Sequence, residues 1–171
     1  PLDAATVYFG ALTIAITGLG HLAGKEVRIL ADGSEQPAQT VSLGGTLDLE
    51  SAATTVIVGL PFESCLQPMP WDLNMEDGTS AGRKVKAGPV SALFYKTGAC
   101  QFSDGPGKVW RDVVFRRNED AMDSAVPLFS GWAKLALAAA FRESIDVLLR
   151  TDGPLPLNLL ALSPTQTVHG Q

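Results

Sequence analysis

Short apolar runs with an alternating apolar and polar pattern, separated by turn residues, extend along most of the chain. Residues 12–17 alternate with a period of two, as expected of a half-buried strand. Residues 25–31 form a second run, which ends at Asp32-Gly33, a dipeptide typical of a tight hairpin turn. Residues 54–60 are largely β-branched, and Pro61 ends this run because it lacks a backbone donor. The pattern predicts a small antiparallel β-unit over residues 18–64.

Two further segments allow more than one interpretation. Residues 40–49 are interrupted by Gly44-Gly45, so they form either one bulged strand or two strands around a turn. Residues 67–72 contain two prolines, which favour an extended backbone. This second segment is either a connection or an edge strand, and we favour a strand that continues loosely through Leu73. Later strands are predicted over residues 89–95, 109–116 and 157–162.

Residues 131–150 are the one serious helix candidate. The run is rich in alanine and leucine and contains no proline, and both features favour a helix. Alternation across residues 132–137 and 145–150 fits two strands as well. The residues alone lean slightly towards a helix.

The composition favours an all-β protein. Hydrophobic residues make up 46% of the 171 residues, enough for one compact domain or for two small units that share a core. Seventeen glycines and eleven prolines are spread along the chain, which indicates many short elements and turns. No apolar run approaches the roughly 20 residues needed to span a bilayer. The fold class predicted is an antiparallel β-sandwich or a set of barrel-like modules with long loops.

The charge pattern disfavours specific recognition of nucleic acid. The net charge is −5, and no block of lysine and arginine exceeds two residues. The most basic stretch lies in the polar segment 76–88, which contains Arg83, Lys84 and Lys86. These side chains would suit a phosphate contact, but a solvated loop or an interface arm is the better interpretation.

The cysteines and histidines do not form a catalytic motif. Cys65 and Cys100 have no metal-ligand spacing, and we expect both to be small apolar fillers. A nucleophilic triad needs a histidine near a serine or cysteine. Cys65 with His21 would form such a pair, but no motif around Cys65 supports it. The other histidine, His169, lies in the polar C-terminal segment.

The acidic residues and tryptophans offer weaker candidates. The pairs Glu76-Asp77 and Glu119-Asp120 would suit glycoside hydrolysis, but solvated loops are the simpler interpretation. The set of Asp72, Asp77 and Asp104 does not match a calcium loop, and the Gly107-Lys108 pair does not open a helix as a phosphate loop would. The tryptophans are expected to be core or interface anchors rather than a sugar platform: Trp71, Trp110 and Trp132. The sequence therefore predicts no catalytic residue, metal ligand or cofactor.

Three ordered segments of the chain carry a resemblance to a known family. They are HLAGKEVRILADG followed by GGTLDLESAATTVIVGLPFES, then a small basic GRK segment, and finally DGPLPLNLLALSP. This pattern resembles the tail tubular proteins of short-tailed bacteriophages and related prophages, also called nozzle or stabilisation proteins, and covers residues 18–164. The matching positions are Leu22, Gly24, Val27, Asp32, Gly33, Leu49, Ala53, Val58, Gly59, Leu60, Pro61, Leu155, Pro156, Leu157, Leu159, Ala161 and Pro164.

The resemblance also bears on residues 131–150 and on the domain organisation that we expect. It favours strand, turn and strand over residues 131–150, although Ala-Ala-Ala-Phe-Arg replaces the Gly-rich turn of the family. We expect a leading strand or linker over residues 1–17, a small barrel-like module over 18–67, a sandwich portion over 68–164 and a frayed tail over 165–171. The chain begins at Pro1, and we expect it to be the C-terminal part of a longer polypeptide.

The function implied by the resemblance is structural. Such a protein forms a ring in the virion tail, typically a hexamer, after assembly in the host cytoplasm. It contacts the portal, the adaptor and other tail proteins, and genomic DNA passes through it as a non-specific cargo. We therefore expect no enzymatic activity and no membrane insertion by this segment. The alternative is a carbohydrate- or receptor-binding β-sandwich at a virion or cell surface.

Overall fold

Fourteen strands, paired only in the antiparallel sense, build the fold in a computed structural model, which describes residues 2–72, 74–75, 78–80, 83–121, 124–138 and 140–168. The only helical segment in these ranges is a single 3-10 turn, Gly20–Leu22. The predicted all-β class is confirmed. The described part of the chain includes no helix that is long and apolar enough to cross a membrane.

The chain divides into two compact units. Unit 1 takes in the described residues of Pro1–Glu63, Arg116–Pro127 and Asp152–Pro156. Its four strands form one sheet in the order β1-β4-β2-β3. Their bounds are Leu2–Ile16 for β1, Glu26–Ala31 for β2, Ser34–Thr40 for β3 and Leu47–Pro61 for β4.

The hairpin between β2 and β3 turns at Asp32-Gly33, as the sequence predicts. Both residues have positive φ angles, 47° and 83°, as a type I′ turn requires. The Asp32 carboxylate also accepts hydrogen bonds from the backbone N–H groups of Thr54 and Thr55 and from the Thr54 hydroxyl. These hydrogen bonds connect the turn to the middle of β4.

The Gly44-Gly45 pair separates two strands rather than bulging one. β3 ends at Thr40 and β4 begins at Leu47, so the bulged-strand alternative is wrong. The polar strand β3 was not predicted, because its sequence SEQPAQT has no apolar alternation. β4 is longer than predicted, because it includes both the end of the second predicted run and all of the third.

The side chain of Gln36 joins β3 to the part of β4 that β2 does not reach. β2 pairs with β4 only from Val56 to Gly59. Gln36 is buried, its amide group donates to the Ser51 carbonyl and hydroxyl, and its oxygen accepts from the Glu50 N–H. These hydrogen bonds connect β3 directly to β4. The buried core of unit 1 consists of Ile16, Leu19, Leu22, Val27, Ile29, Ala31, Val41, Leu47, Leu49, Ala53, Val56 and Val58.

Unit 2 takes in the described residues of Ser64–Phe115, Leu128–Thr151 and Leu157–Gln171. One sheet has the order β10-β9-β13-β5, and in a second sheet β8 pairs with β11, β12 and β14. A small hairpin of β6 and β7 stands apart from both sheets. The strand bounds are Ser64–Leu66 for β5, Asn74–Met75 for β6, Gly78–Thr79 for β7, Val85–Thr97 for β8, Gln101–Ser103 for β9, Arg111–Asp112 for β10, Phe129–Leu135 for β11, Phe141–Arg142 for β12, Leu148–Thr151 for β13 and Leu159–Val168 for β14.

The two larger sheets of unit 2 share one apolar core, as in a β-sandwich. Phe94 of β8 and Phe102 of β9 belong to the same buried cluster as Leu149 of β13. Phe115 stands edge-on to Phe94 at a centroid distance of 5.1 Å and stacks on Phe129 at 5.2 Å. Contacts of this kind add to the free energy gained from burial of apolar area.

The region from residue 131 to residue 150 forms strands, and the helix alternative is wrong. It contains most of β11, all of β12 and the start of β13, so the two strands expected are joined by a third, short one. Pairing with β8 explains this result, because β11 inserts Ala133 and Leu135 into the core while the exposed side chains of Trp132 and Lys134 alternate with them. Tertiary pairing outweighs the helix propensity of the alanines.

Three other strand predictions need correction. Residues 67–72 form no strand, since their two prolines cannot donate to a ladder, and Leu73 lies outside the described residues. Of residues 109–116 only Arg111–Asp112 is a strand. β14 extends to Val168, so residues 165–168, expected in a frayed tail, pair with β8, and residues 169–171 lie outside the described part.

A substitution of Gly45 tests how tightly the β3–β4 turn packs. Gly45 has a φ of +72°, and a Cβ atom there would lie 2.7 Å from the backbone nitrogen of Gly20. We expect Gly45→Ala to lower the free energy of unfolding by about 3 kcal/mol, from left-handed backbone strain and from overpacking. Gly107→Ala is the matched control, because Gly107 has the same φ with nothing within 4 Å. It should cost only about 1 kcal/mol. Equal losses in urea titrations would contradict this packing.

The Asp32 carboxylate gives the stability of unit 1 a defined pH dependence. Hydrogen bonds from the Thr54 N–H, the Thr55 N–H and the Thr54 hydroxyl lower the pKa of Asp32 below its ordinary value of 3.8. Because the folded-state pKa is the lower one, the stabilisation is complete above the unfolded pKa and is lost as the pH falls through the folded pKa. The comparison is with Asp32→Asn, which keeps the turn and an acceptor oxygen but has no charge.

Urea unfolding of the wild type and of Asp32→Asn should show the wild type as the more stable at about pH 6, with the difference shrinking towards about pH 3. A difference that stays constant over this range would mean that the charge of Asp32 does not stabilise the hairpin.

Candidate functional site

An exposed apolar surface lies along β1, at one edge of the sheet in unit 1. We call it the β1 surface and define it by four side chains with large exposed fractions: Val7 (63%), Phe9 (84%), Leu12 (67%) and Ile14 (59%). Sequence alternation predicted a half-buried strand here, and the structure instead leaves Leu12 and Ile14 exposed while burying Ile16. Contiguous exposed apolar residues of this kind are uncommon on monomeric proteins.

The two edges of the same sheet differ in chemistry. β3, the opposite edge, contains Pro37 and the charged Glu35, which are features that discourage pairing with another strand. β1 has no proline within Leu2–Ile16, and its only charged residue is Asp3. The sheet therefore has one protected edge and one unprotected edge.

A second candidate is an open groove in unit 2, which we call the Trp132 groove. It has a volume of about 460 Å³ and follows β11 on one side and residues 112–114 on the other. Its apolar lining includes Phe102, Val113, Val114 and Phe129. Two charged residues, Asp112 and Lys134, also belong to its lining, and both are exposed.

A chain of hydrogen bonds orients the carboxylate at this groove. The Nε atom of Arg150 donates to the Gln101 amide oxygen at 2.8 Å, and the Gln101 amide nitrogen donates to Asp112 Oδ1 at 2.8 Å. These residues are register partners on adjacent strands, so they lie on one face of the sheet. The guanidinium of Arg150 in turn stacks over the Trp110 ring at 4.3 Å.

The three tryptophans therefore have different environments. Trp132 is 56% exposed, whereas Trp71 and Trp110 are half-buried. Trp71 packs against the core of unit 2 and lines a smaller cavity of about 240 Å³ beside Asp72 and Glu143. The expected role as a core or interface anchor fits Trp71 as a core residue. The exposure of Trp132 excludes the core role at that position, and an interface role there stays a prediction.

Cys65 and His21, whose pairing the sequence disfavours, lie in different surroundings. His21 lies in unit 1, where its Nε2 atom is 3.0 Å from the Ala4 carbonyl oxygen and 3.4 Å from the Thr6 hydroxyl. Cys65 lies on β5 in unit 2. Cys65 is exposed, so its expected role as a filler is wrong, whereas Cys100 is buried and its pKa rises to about 12 because burial disfavours the thiolate. His169 lies outside the described residues.

The acidic residues that the sequence disfavours as catalytic or calcium-binding groups have structural partners where they are described. Asp120 accepts a hydrogen bond from the Arg117 N–H, and Glu119 forms a surface ion pair with the Arg117 side chain at 3.7 Å. Asp72 accepts hydrogen bonds from the Ser80 N–H and hydroxyl and from the Thr79 hydroxyl. Glu76 and Asp77 lie outside the described residues.

Asp104 is a buried anchor of unit 2 rather than a metal ligand. Its carboxylate accepts hydrogen bonds from the Arg111 guanidinium and from the Ala138 N–H, the latter at 3.0 Å. Its backbone carbonyl accepts from Arg142 at 2.8 Å. Within the described ranges no group of three or more histidine, cysteine, aspartate or glutamate side chains is placed to bind a metal.

The basic residues of the polar segment precede or begin β8. Lys84 is exposed, Arg83 and Lys86 are half-buried, and the Arg83 N–H donates to the Ser80 carbonyl. Lys86 lies within the strand and faces Phe141 of β12 and Thr167 of β14 in the ladder. Lys86 is thus placed in the sheet and not in the solvated loop that the sequence predicts.

No family model matches this chain, and no curated protein matches its sequence. The resemblance to phage tail tubular proteins stays a prediction based on the motifs themselves.

Removal of the Asp104 carboxylate should weaken unit 2. Asp104→Ala leaves the Ala138 N–H without its acceptor and removes the partner of Arg111. We expect the free energy of unfolding to fall by about 2 kcal/mol, the cost of losing charge-assisted hydrogen bonds at a buried site. Lys108→Ala, an exposed residue in the same loop, is the control and should be nearly neutral. A thermal midpoint of Asp104→Ala equal to that of the control would contradict the anchor role.

Proposed function

We propose that this chain is a structural virion protein, part of an oligomeric bacteriophage tail tube or nozzle through which DNA is ejected. The observation that carries the proposal is the β1 surface, an unprotected and apolar sheet edge. The resemblance of the sequence to tail tubular proteins supplies the biological setting. An all-β fold of two compact units is compatible with such a role.

A second copy of the same chain is the occupant we propose for the β1 surface. The exposed side chains of Val7, Phe9, Leu12 and Ile14 would lose contact with water when a neighbouring subunit packs against them. The opposite edge of the sheet is protected by Pro37, so edge-to-edge growth from both sides of one subunit is discouraged. An interface that uses a different surface on each subunit generates a closed ring when the rotation between copies closes.

The mechanism in this proposal is geometric. A ring, with a hexamer as the size that the family implies, lies beneath the portal and adaptor in the virion tail after assembly in the host cytoplasm. The net charge of −5 disfavours tight contact with phosphates, so DNA passes as a non-specific cargo. The proposed role requires no catalytic residue, metal or cofactor.

A charge placed in the β1 surface tests the proposed interface. Phe9→Asp introduces a carboxylate at the most exposed of the four side chains. We expect it to weaken self-association at least about 30-fold, because loss of a central aromatic contact costs ~2 kcal/mol or more. Size-exclusion chromatography with light scattering across a concentration series gives the dissociation constants.

Leu43→Asp is the matched control. Leu43 is 91% exposed and belongs to unit 1, but it lies in the turn between β3 and β4. It should leave association unchanged, and both variants should keep the thermal midpoint of the wild-type monomer. An oligomer that tolerates Phe9→Asp but is disrupted by Leu43→Asp would place the interface elsewhere. A wild-type protein that stays monomeric with and without a portal–adaptor complex would overturn the proposal.

A further inference from the structure

We propose that the Trp132 groove binds a neutral saccharide, with a pyranose ring stacked on the indole of Trp132 and its hydroxyl groups bonded to Asp112 and Lys134. This site is independent of the β1 surface, since all of its lining residues belong to unit 2. Its volume of about 460 Å³ lies within the range of about 300–1,000 Å³ typical of sites for small ligands.

Trp132 is placed as a platform by the alternation of β11. Ala133 and Leu135 point to the core, so Trp132 and Lys134 project outward from the same strand. An indole that is 56% exposed offers a flat apolar face whose electrons attract the weakly positive C–H groups of a sugar ring. Val114, which is 80% exposed, extends the apolar floor of the groove.

The carboxylate of Asp112 is oriented to accept hydrogen bonds from the hydroxyl groups of a ligand. Its Oδ1 atom accepts a hydrogen bond from the Gln101 amide nitrogen. The orientation of that amide is fixed by the hydrogen bond that Arg150 Nε donates to its oxygen. An ionised carboxylate has about four acceptor positions, so Oδ2 retains capacity for ligand hydroxyls. A carboxylate held by neighbouring hydrogen bonds loses little conformational entropy when it binds a ligand.

The charges of the groove favour a neutral ligand. The negative charge of Asp112 is matched by the positive charge of Lys134, so neither an anion nor a cation gains a net attraction from these two residues. A saccharide uses both residues, since its hydroxyls donate to the carboxylate and accept from the ammonium. The groove is open rather than enclosed, which suits an internal segment of a polysaccharide chain.

The experiment is a titration of the whole chain with neutral oligosaccharides. Cellohexaose, maltohexaose and chitohexaose serve as probes, and an uncharged proline-rich decapeptide represents the rival class of ligand. Tryptophan fluorescence and isothermal calorimetry report binding. We expect saturable binding of at least one oligosaccharide with a change in tryptophan emission, and none of the peptide.

Variants assign the binding to the groove. Trp132→Ala should weaken the binding about tenfold or more, and Trp132→Phe should restore much of it because a ring is retained. Asp112→Asn keeps an acceptor for Gln101 but no charge, and it should weaken binding several-fold. Phe62→Ala, which removes an exposed aromatic residue of unit 1, is the control and should have no effect.

Each contrary result overturns the proposal. Saccharide binding that survives Trp132→Ala, with an unchanged thermal midpoint, would place the ligand elsewhere. Binding of the peptide alone would make the groove a peptide site. The absence of a saturable signal for all three oligosaccharides up to about 10 mM would exclude a saccharide site of useful affinity.

Discussion

The length of β4 is the constraint on which unit 1 depends. A strand of 15 residues extends about 50 Å, at roughly 3.4 Å per residue, yet β2 covers only four positions of it. The remaining backbone and side chains of β4 need other partners. β1 pairs along most of one side, and Gln36 reaches across from β3 on the other. Its amide satisfies two backbone groups of β4, the Glu50 N–H and the Ser51 carbonyl, outside the stretch that pairs with β2.

β1, which pairs with β4, has an outer edge that no other strand described in this sheet covers. β1 matches β4 in length, with register shifts that absorb its bulges, and it is the last strand of its sheet. Its inward side chains, such as Tyr8, pack against the core, whereas its outward ones are apolar without being buried. Edge strands with these properties tend to pair with other chains, and this tendency is the physical basis of the interface that we propose.

The sequence predicts the local features of the fold better than the distant ones. The Asp32-Gly33 turn was predictable because its geometry depends on two adjacent residues with positive φ. β3 was missed because its burial comes from one residue, Gln36, whose partners lie 14 and 15 positions away. Residues 131–150 resembled a helix because propensity is a local property, whereas pairing with β8 is not.

Both candidate surfaces were hidden from sequence reasoning for a similar reason. Apolar alternation over residues 12–17 signals a strand with one buried face, but it does not reveal which face a neighbour covers. The alignment of Asp112, Gln101 and Arg150 needs three strands whose register comes from the fold. The sequence around the tryptophans does not indicate that Trp132 is exposed and Trp71 half-buried.

Electron microscopy of the purified chain is the most direct test of the central claim that it is a ring-forming structural subunit. Negative-stain class averages of the wild-type protein, with and without an isolated portal–adaptor complex, would show the assembly itself. We expect closed rings of about six copies with an axial hole, either free or docked on the adaptor. Isolated particles of monomer size in both samples would contradict the claim.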